Sequence, residues 1–142
     1  MYSVDDEVLK CADRVVQMSR DRGQAVLDYT DGGIAIVEDM LSEAAVHAKR
    51  MSEAALQRLS QDVGCYVLEV ARRNHGGAYQ WSTDRNEPGL VTGSPHFAIT
   101  LFCWEKVRAR LLGSDTDSIR LFYEGYVERV RQAKPGDRIV FL

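Results

Sequence analysis

The sequence predicts an α+β domain, mainly helical, with about five helices and a small antiparallel sheet of two or three strands inserted between the third and fourth. Three observations carry that expectation. Apolar residues recur at helical spacing through most of residues 4–75 and again from Trp104 to Val130. Between them, "GGAYQWSTDRNEPGLVTGSPHFAITL" breaks into short aromatic and β-branched runs punctuated by glycine and proline. Finally, 142 residues that are 45% hydrophobic and 27% charged suit one ordinary globular domain, burying roughly 70% of the unfolded chain's surface.

The first helix starts near Asp5, with Ser3 as N-cap and Asp6 placed to return the hydrogen bond. Val8, Ala12, Val15, Val16 and Ser19 form its apolar stripe, and Gly23 ends it. "QAVLDY" then reads as an extended piece or a plain link. Thr30 and Asp31 are suited to cap a second helix, which carries Ile34, Val37, Leu41, Ala44, Ala45 and Ala48 on one face. Ser52 caps the third, where Leu56, Leu59, Val63, Tyr66, Val67 and Val70 give the clearest amphipathic signal in the chain. Gly64 in its middle implies close approach of another helix, and Gly76 supplies a left-handed end.

Strands are expected at "AYQWS", "GLVTG" and "FAITL", with turns at "DRNEPG" and "GSP". Trp104, Val107 and Leu111 make a short helix that stops at Gly113. "SDTDS" caps the last helix, whose face is Ile119, Phe122, Tyr123, Tyr126, Val127 and Val130. Lys134-Pro135-Gly136 stops it, and the tail "RIVFL" is apolar enough to dock on the body, add an edge strand or swap into a neighbour.

Composition narrows the function classes. No apolar run approaches the roughly 20 residues that span a bilayer, and "MYSVDDEVLK" is too acidic and polar for a secretory signal, so a cytoplasmic address is expected. Cys11, Cys65 and Cys103 are odd in number and far apart, which favours reduced, buried thiols over a disulfide framework. The net charge of −3 disfavours nucleic acid as a partner, yet it splits into −6 over residues 1–71 and +3 over residues 72–142. Such polarity can steer a charged partner.

The stretch "GCYVLEVARRNHGGAYQW" gathers the chemically notable residues. Glu69 precedes Arg72 and Arg73 by three and four positions, the spacing of a helix-surface ion pair. His75 falls where a helix C-terminus favours positive charge, and Trp81 alternates with Tyr79 as in a half-buried strand. The alternative is a pocket built from Glu69, Arg72, His75 and Trp81, which would make the chain a small enzyme or a ligand-binding domain. The metal-site motifs C-x-x-C, H-x-x-x-H and H-E-x-x-H do not occur, so no metal or other cofactor is expected. The start of a calcium loop at Asp115 and Asp117 fails, because Ile119 and Tyr126 stand at ligand positions. No G-x-S-x-G elbow, P-loop or G-x-G-x-x-G is present. Arg108, Arg120 and Arg131 each have a nearby glutamate, Glu105, Glu124 and Glu128, which uses up much of the basic field of the last two helices.

Three blocks carry a family resemblance. Asp28-Tyr29 stands before a helix. Gly64, Tyr66, Glu69, Val70 and Arg72 form a G-x-Y-x-x-E-V-x-R helix that runs into Gly76-Gly77 and Trp81. Arg110, Gly113, Asp117-Ser118-Ile119 and Phe122-Tyr123 close the pattern. Over about residues 27–130 the chain resembles a family of small, poorly characterised bacterial cytosolic domains, similar to immunity proteins that neutralise an antibacterial toxin. The resemblance implies a non-enzymatic protein with no catalytic residues, whose partner is a toxin. Because acidic groups attract a basic toxin domain, the contact surface is expected at Asp13, Glu38, Asp39 and Glu43, with the loop at Asp84 and Glu87. A homodimer paired through the last helix is a third class.

Overall fold

The computed structural model describes residues 3–23, 27–113 and 118–142. Its elements run α1 (Val4–Asp21), α2 (Gly33–Ala45), a single 3-10 turn (Ala48–Arg50), α3 (Glu53–His75), β1 (Ala78–Ser82), β2 (Glu87–Thr92), β3 (Ala98–Leu101), α4 (Trp104–Leu111), α5 (Ile119–Arg131) and β4 (Arg138–Phe141). The fold is α+β and mainly helical, with one four-stranded sheet.

Local chemistry sets most helix ends. Ser3 Oγ accepts from the Asp6 N–H at 3.1 Å, and Asp6 Oδ2 accepts from the Ser3 N–H at 3.3 Å, closing the capping box. Ser52 and Ser118 cap α3 and α5 in the same way, accepting from the Ala55 and Leu121 N–H groups. Asp115 and Asp117, also expected in the last cap, lie outside the described residues. At α2 the expectation fails. Asp28 Oδ1 accepts from both the N–H and the hydroxyl of Thr30, folding 28–30 into a turn, while Asp31 takes the Tyr123 hydroxyl. The helix therefore begins at Gly33, with Gly32 as a cap that offers no side chain.

The long central helix α3 organises the core. Every residue from Asp62 to Ala71 is buried, the pattern of a helix covered on all sides. It packs on α1 and α4 and lies against β2. Gly64 is the point of closest approach to α4: a Cβ there would sit 2.6 Å from Trp104 Cδ1 and 3.2 Å from Trp104 Cα. The helix ends at Gly76, whose φ of +82° turns the chain toward β1 while its N–H still reaches the Arg72 carbonyl.

The strand order is β1-β2-β3-β4. The pairs β1–β2 and β2–β3 are antiparallel, with Tyr79 opposite Leu90 and Leu90 opposite Leu101. The tail supplies the fourth strand, running parallel to β3 with Ile99 opposite Ile139. The sheet is thus one strand larger than the expected two or three, and not purely antiparallel. The reason is topological, since the helices between β3 and β4 provide the crossover that a parallel pair needs. Ile139 and Phe141 are half-buried, Phe141 against Phe122 and Tyr126 of α5, while Val140 faces outward.

Candidate functional site

Glu69 accepts four hydrogen bonds from three side chains. It sits mid-interior on α3 with no exposed surface, so the expected helix-surface pair is in fact a buried one. Arg72 donates to it through Nε and Nη2 at 2.8 and 2.6 Å, Arg73 through Nε at 2.6 Å, and the Tyr79 hydroxyl of β1 at 2.8 Å. Burial works against the carboxylate's charge, but the bonds from Arg72, Arg73 and Tyr79 outweigh it and hold the carboxyl below its ordinary range. Arg73 also lies over the Tyr29 ring, 3.9 Å from its centroid.

Of the expected pocket, only Arg72 stays with Glu69; His75 and Trp81 lie elsewhere. His75 Nε2 is 3.4 Å from Asp31 Oδ1, and its ring leans on Tyr123. Trp81, two residues after Tyr79 on β1, stays 44% exposed and lies edge-on to Trp104. Four clefts among the described residues, of about 330 to 560 Å³, are lined by none of Glu69, Arg72, His75 and Trp81. The geometry therefore keeps Arg72 with Glu69 and places His75 and Trp81 in separate structural contacts.

The expected acidic surface divides in two. Glu38 is not available at the surface. It accepts from Arg110 Nε at 2.9 Å, from the Ser118 hydroxyl at 2.6 Å and from the Arg120 N–H at 3.3 Å, joining α2, α4 and α5. Arg110, itself buried, extends the network to Ser42 Oγ at 2.6 Å. Burial opposes the Glu38 charge, and the bonds from Ser118 and Arg110 carry its carboxyl below the ordinary value. Glu87 is likewise withdrawn. It is only 3% exposed and pairs with Arg85 at 3.3 Å. Burial pushes its carboxyl up; the Arg85 charge resists this and the Glu105 charge adds to it. Arg108 does not pair with Glu105 as expected but reaches Glu53 of α3 at 2.9 Å.

Asp13, Asp39, Glu43 and Asp84 do face solvent. The Asp13 carboxylate is fixed by the Tyr29 hydroxyl at 2.5 Å. Asp39 and Glu43 are one turn apart on the outer face of α2. Glu43 also rims a groove of about 330 Å³ between α1, α2 and α3. Its floor holds Met18, Met40 and Met51 with Leu41, Leu59 and Val63, and Arg22 and His47 complete the rim. Val46, just beyond α2, is 73% exposed. Three of the chain's four methionines thus meet in one place. Flexible thioether chains of this kind suit surfaces that accommodate a partner. The sequence reading did not single out this groove. Its only advance signal was methionine on adjacent helices, with no periodicity to join residues 18, 40 and 51.

Among the described residues, no cluster of three or more His, Cys, Asp or Glu side chains is arranged to hold a metal ion. No described helix is long and apolar enough to cross a membrane. No family model, curated protein or solved structure matches the chain.

Proposed function

We propose that the chain is a non-enzymatic protein-binding protein, an immunity protein that neutralises a cognate toxin by covering its active site. The observation that carries this reading is the surface at the C-terminal half of α2. There a methionine-floored groove adjoins two exposed carboxylates, Asp39 and Glu43, and the exposed Val46. An apolar centre with a polar, charged rim is the usual build of a protein-binding patch. The carboxylates steer a basic partner toward it. The resemblance to toxin-neutralising immunity proteins supplies the class of partner, and the cell that makes such a toxin supplies a cytoplasmic setting.

The placement is tested by affinity capture from native lysate with wild type and with the double variant Asp39→Lys/Glu43→Lys. Wild type is expected to hold one dominant basic protein at low salt and release it at high salt, with the variant failing to hold it. Equal capture by both chains would remove α2 from the interface. The second reading, a ligand-binding or enzymatic pocket around Glu69, His75 and Trp81, is weakened by the interior position of Glu69 and the separation of the three side chains.

A further inference from the structure

Away from the α2 surface, the packing of α1 on α3 brings two cysteines together. Arg14 of α1 reaches Asp62 of α3 at 3.3 Å. Moving three residues back along α1 and three forward along α3 gives Cys11 opposite Cys65, which is the register of an antiparallel helix pair. The two buried side chains thus face each other across the α1–α3 interface. Arg14 Nη2 donates to Cys11 Sγ at 3.0 Å, the Cys11 thiol donates to Glu7 Oε1 at 3.6 Å, and Trp104 Nε1 donates to Cys65 Sγ at 3.4 Å. All three cysteines of the chain are free.

The surroundings make the two thiols unequal. The Cys65 S–H and the Arg14 guanidinium both favour negative charge on Cys11; burial and the Asp62 carboxylate oppose it. The balance lowers the Cys11 thiol below its usual value. Cys65 moves the other way, because its S–H faces Cys11 and it is fully buried. Cys103 is almost fully buried, its thiol pushed up by that burial and by the Glu87 charge. Cys11 is 4% exposed, and Arg14, 38% exposed at its side chain, connects it to the surface.

We propose that Cys11 and Cys65 form a hydroperoxide-sensitive pair that closes into a disulfide between α1 and α3. In the first step the Cys11 thiolate attacks the distal oxygen of a hydroperoxide. The O–O bond breaks, Cys11 becomes a sulfenic acid, and the released alkoxide or hydroxide takes a proton to leave as alcohol or water. In the second step the Cys65 sulfur attacks the Cys11 sulfur, the S–O bond breaks, and the Cys65 proton leaves with the hydroxyl as water. Two thiols and one hydroperoxide give one disulfide, one alcohol or water, and one water. The link pins together the helices that carry Met18, Leu59 and Val63 of the methionine groove.

The test uses the folded wild-type chain with hydrogen peroxide as probe. After treatment, the thiols that react with maleimide under denaturing conditions should fall from three to one, intact mass should drop by two hydrogens, and peptide mapping should join Cys11 to Cys65. Dithiothreitol should restore all the thiols. Cys65→Ser should stop at a sulfenic acid on Cys11 that dimedone traps, and Arg14→Gln should slow oxidation of Cys11 about ten-fold. Three surviving thiols at a peroxide dose that exhausts a free thiol would overturn the proposal. So would a crosslink that involves Cys103 or joins two chains. The wild-type experiment decides the matter without relying on any variant's ability to fold.

Discussion

Replacing Glu69 tests whether this residue is an interior strut or part of a functional site. In Glu69→Ala the two arginines lose their acceptor, but their side chains are 37% and 43% exposed and can turn to water. Each lost pair therefore contributes below about 1 kcal/mol. Tyr79 is 7% exposed and cannot turn in the same way. Leaving its hydroxyl unbonded costs about 1–3 kcal/mol, and the space vacated by the side chain adds to that. The expected loss is about 3 kcal/mol. Glu69→Gln keeps the shape and an acceptor for Tyr79, so about 1–2 kcal/mol is expected; Tyr79→Phe removes one bond, for about 1 kcal/mol. Urea unfolding followed by circular dichroism gives the order directly.

The pH dependence supplies a second reading from the same variants. The Glu69 carboxyl is depressed in the fold, so its stabilisation is complete above the ordinary glutamate value of about 4.3 and is lost as the pH falls through the folded value. Glu69→Gln should remove that part of the acid slope. A Glu69→Ala chain within about 0.5 kcal/mol of wild type would refute the strut. A Glu69→Gln chain of normal stability that no longer bound the partner would return Glu69 to the functional site.

Three further outcomes follow from the packing. Gly64→Ala should destabilise the chain by about 1–2 kcal/mol in urea unfolding, because overpacking against Trp104 outweighs the roughly 1 kcal/mol gained in helix propensity; a more stable variant would contradict that contact. Glu87→Gln should behave oppositely to Glu69→Gln. The Glu87 carboxyl is raised by burial, so wild type loses stability as pH climbs from about 4.3 through the folded value, and the variant should be flatter there, as unfolding midpoints at several pH values would show. Glu38→Lys should cost about 3–5 kcal/mol, since it strands Arg110, whose side chain is 8% exposed, whereas Asp39→Lys/Glu43→Lys, at exposed positions, should cost no more than about 1 kcal/mol in the same assay.

What the sequence made legible was local. Ser3 and Ser52 cap helices because their hydroxyls bond N–H groups three residues on, and Gly64 marks a close helix contact because the contact needs a missing side chain. The start of α2 was misplaced because Asp28, two residues before Thr30, won the competition for its N–H. The site residues depended on long-range pairing. Glu38 looks like one of several acids on α2, and only Arg110 and Ser118, more than seventy residues away, turn it inward. Glu69 has the spacing of a surface pair, yet Tyr79 and the sheet behind it bury the carboxylate. Glu87 seemed to belong to an exposed turn but begins β2, where Arg85 covers it. The tail had three readings on composition, and register with β3 selected the strand.

The claim that this chain covers the active site of a toxin is tested most directly by growth. The captured basic partner is expressed in a susceptible bacterium alone, with wild type, or with Asp39→Lys/Glu43→Lys. Arrest is expected with the partner alone, full growth with wild type, and arrest with the variant although it is folded and equally abundant. Growth with the partner alone, or equal rescue by both chains, would contradict it.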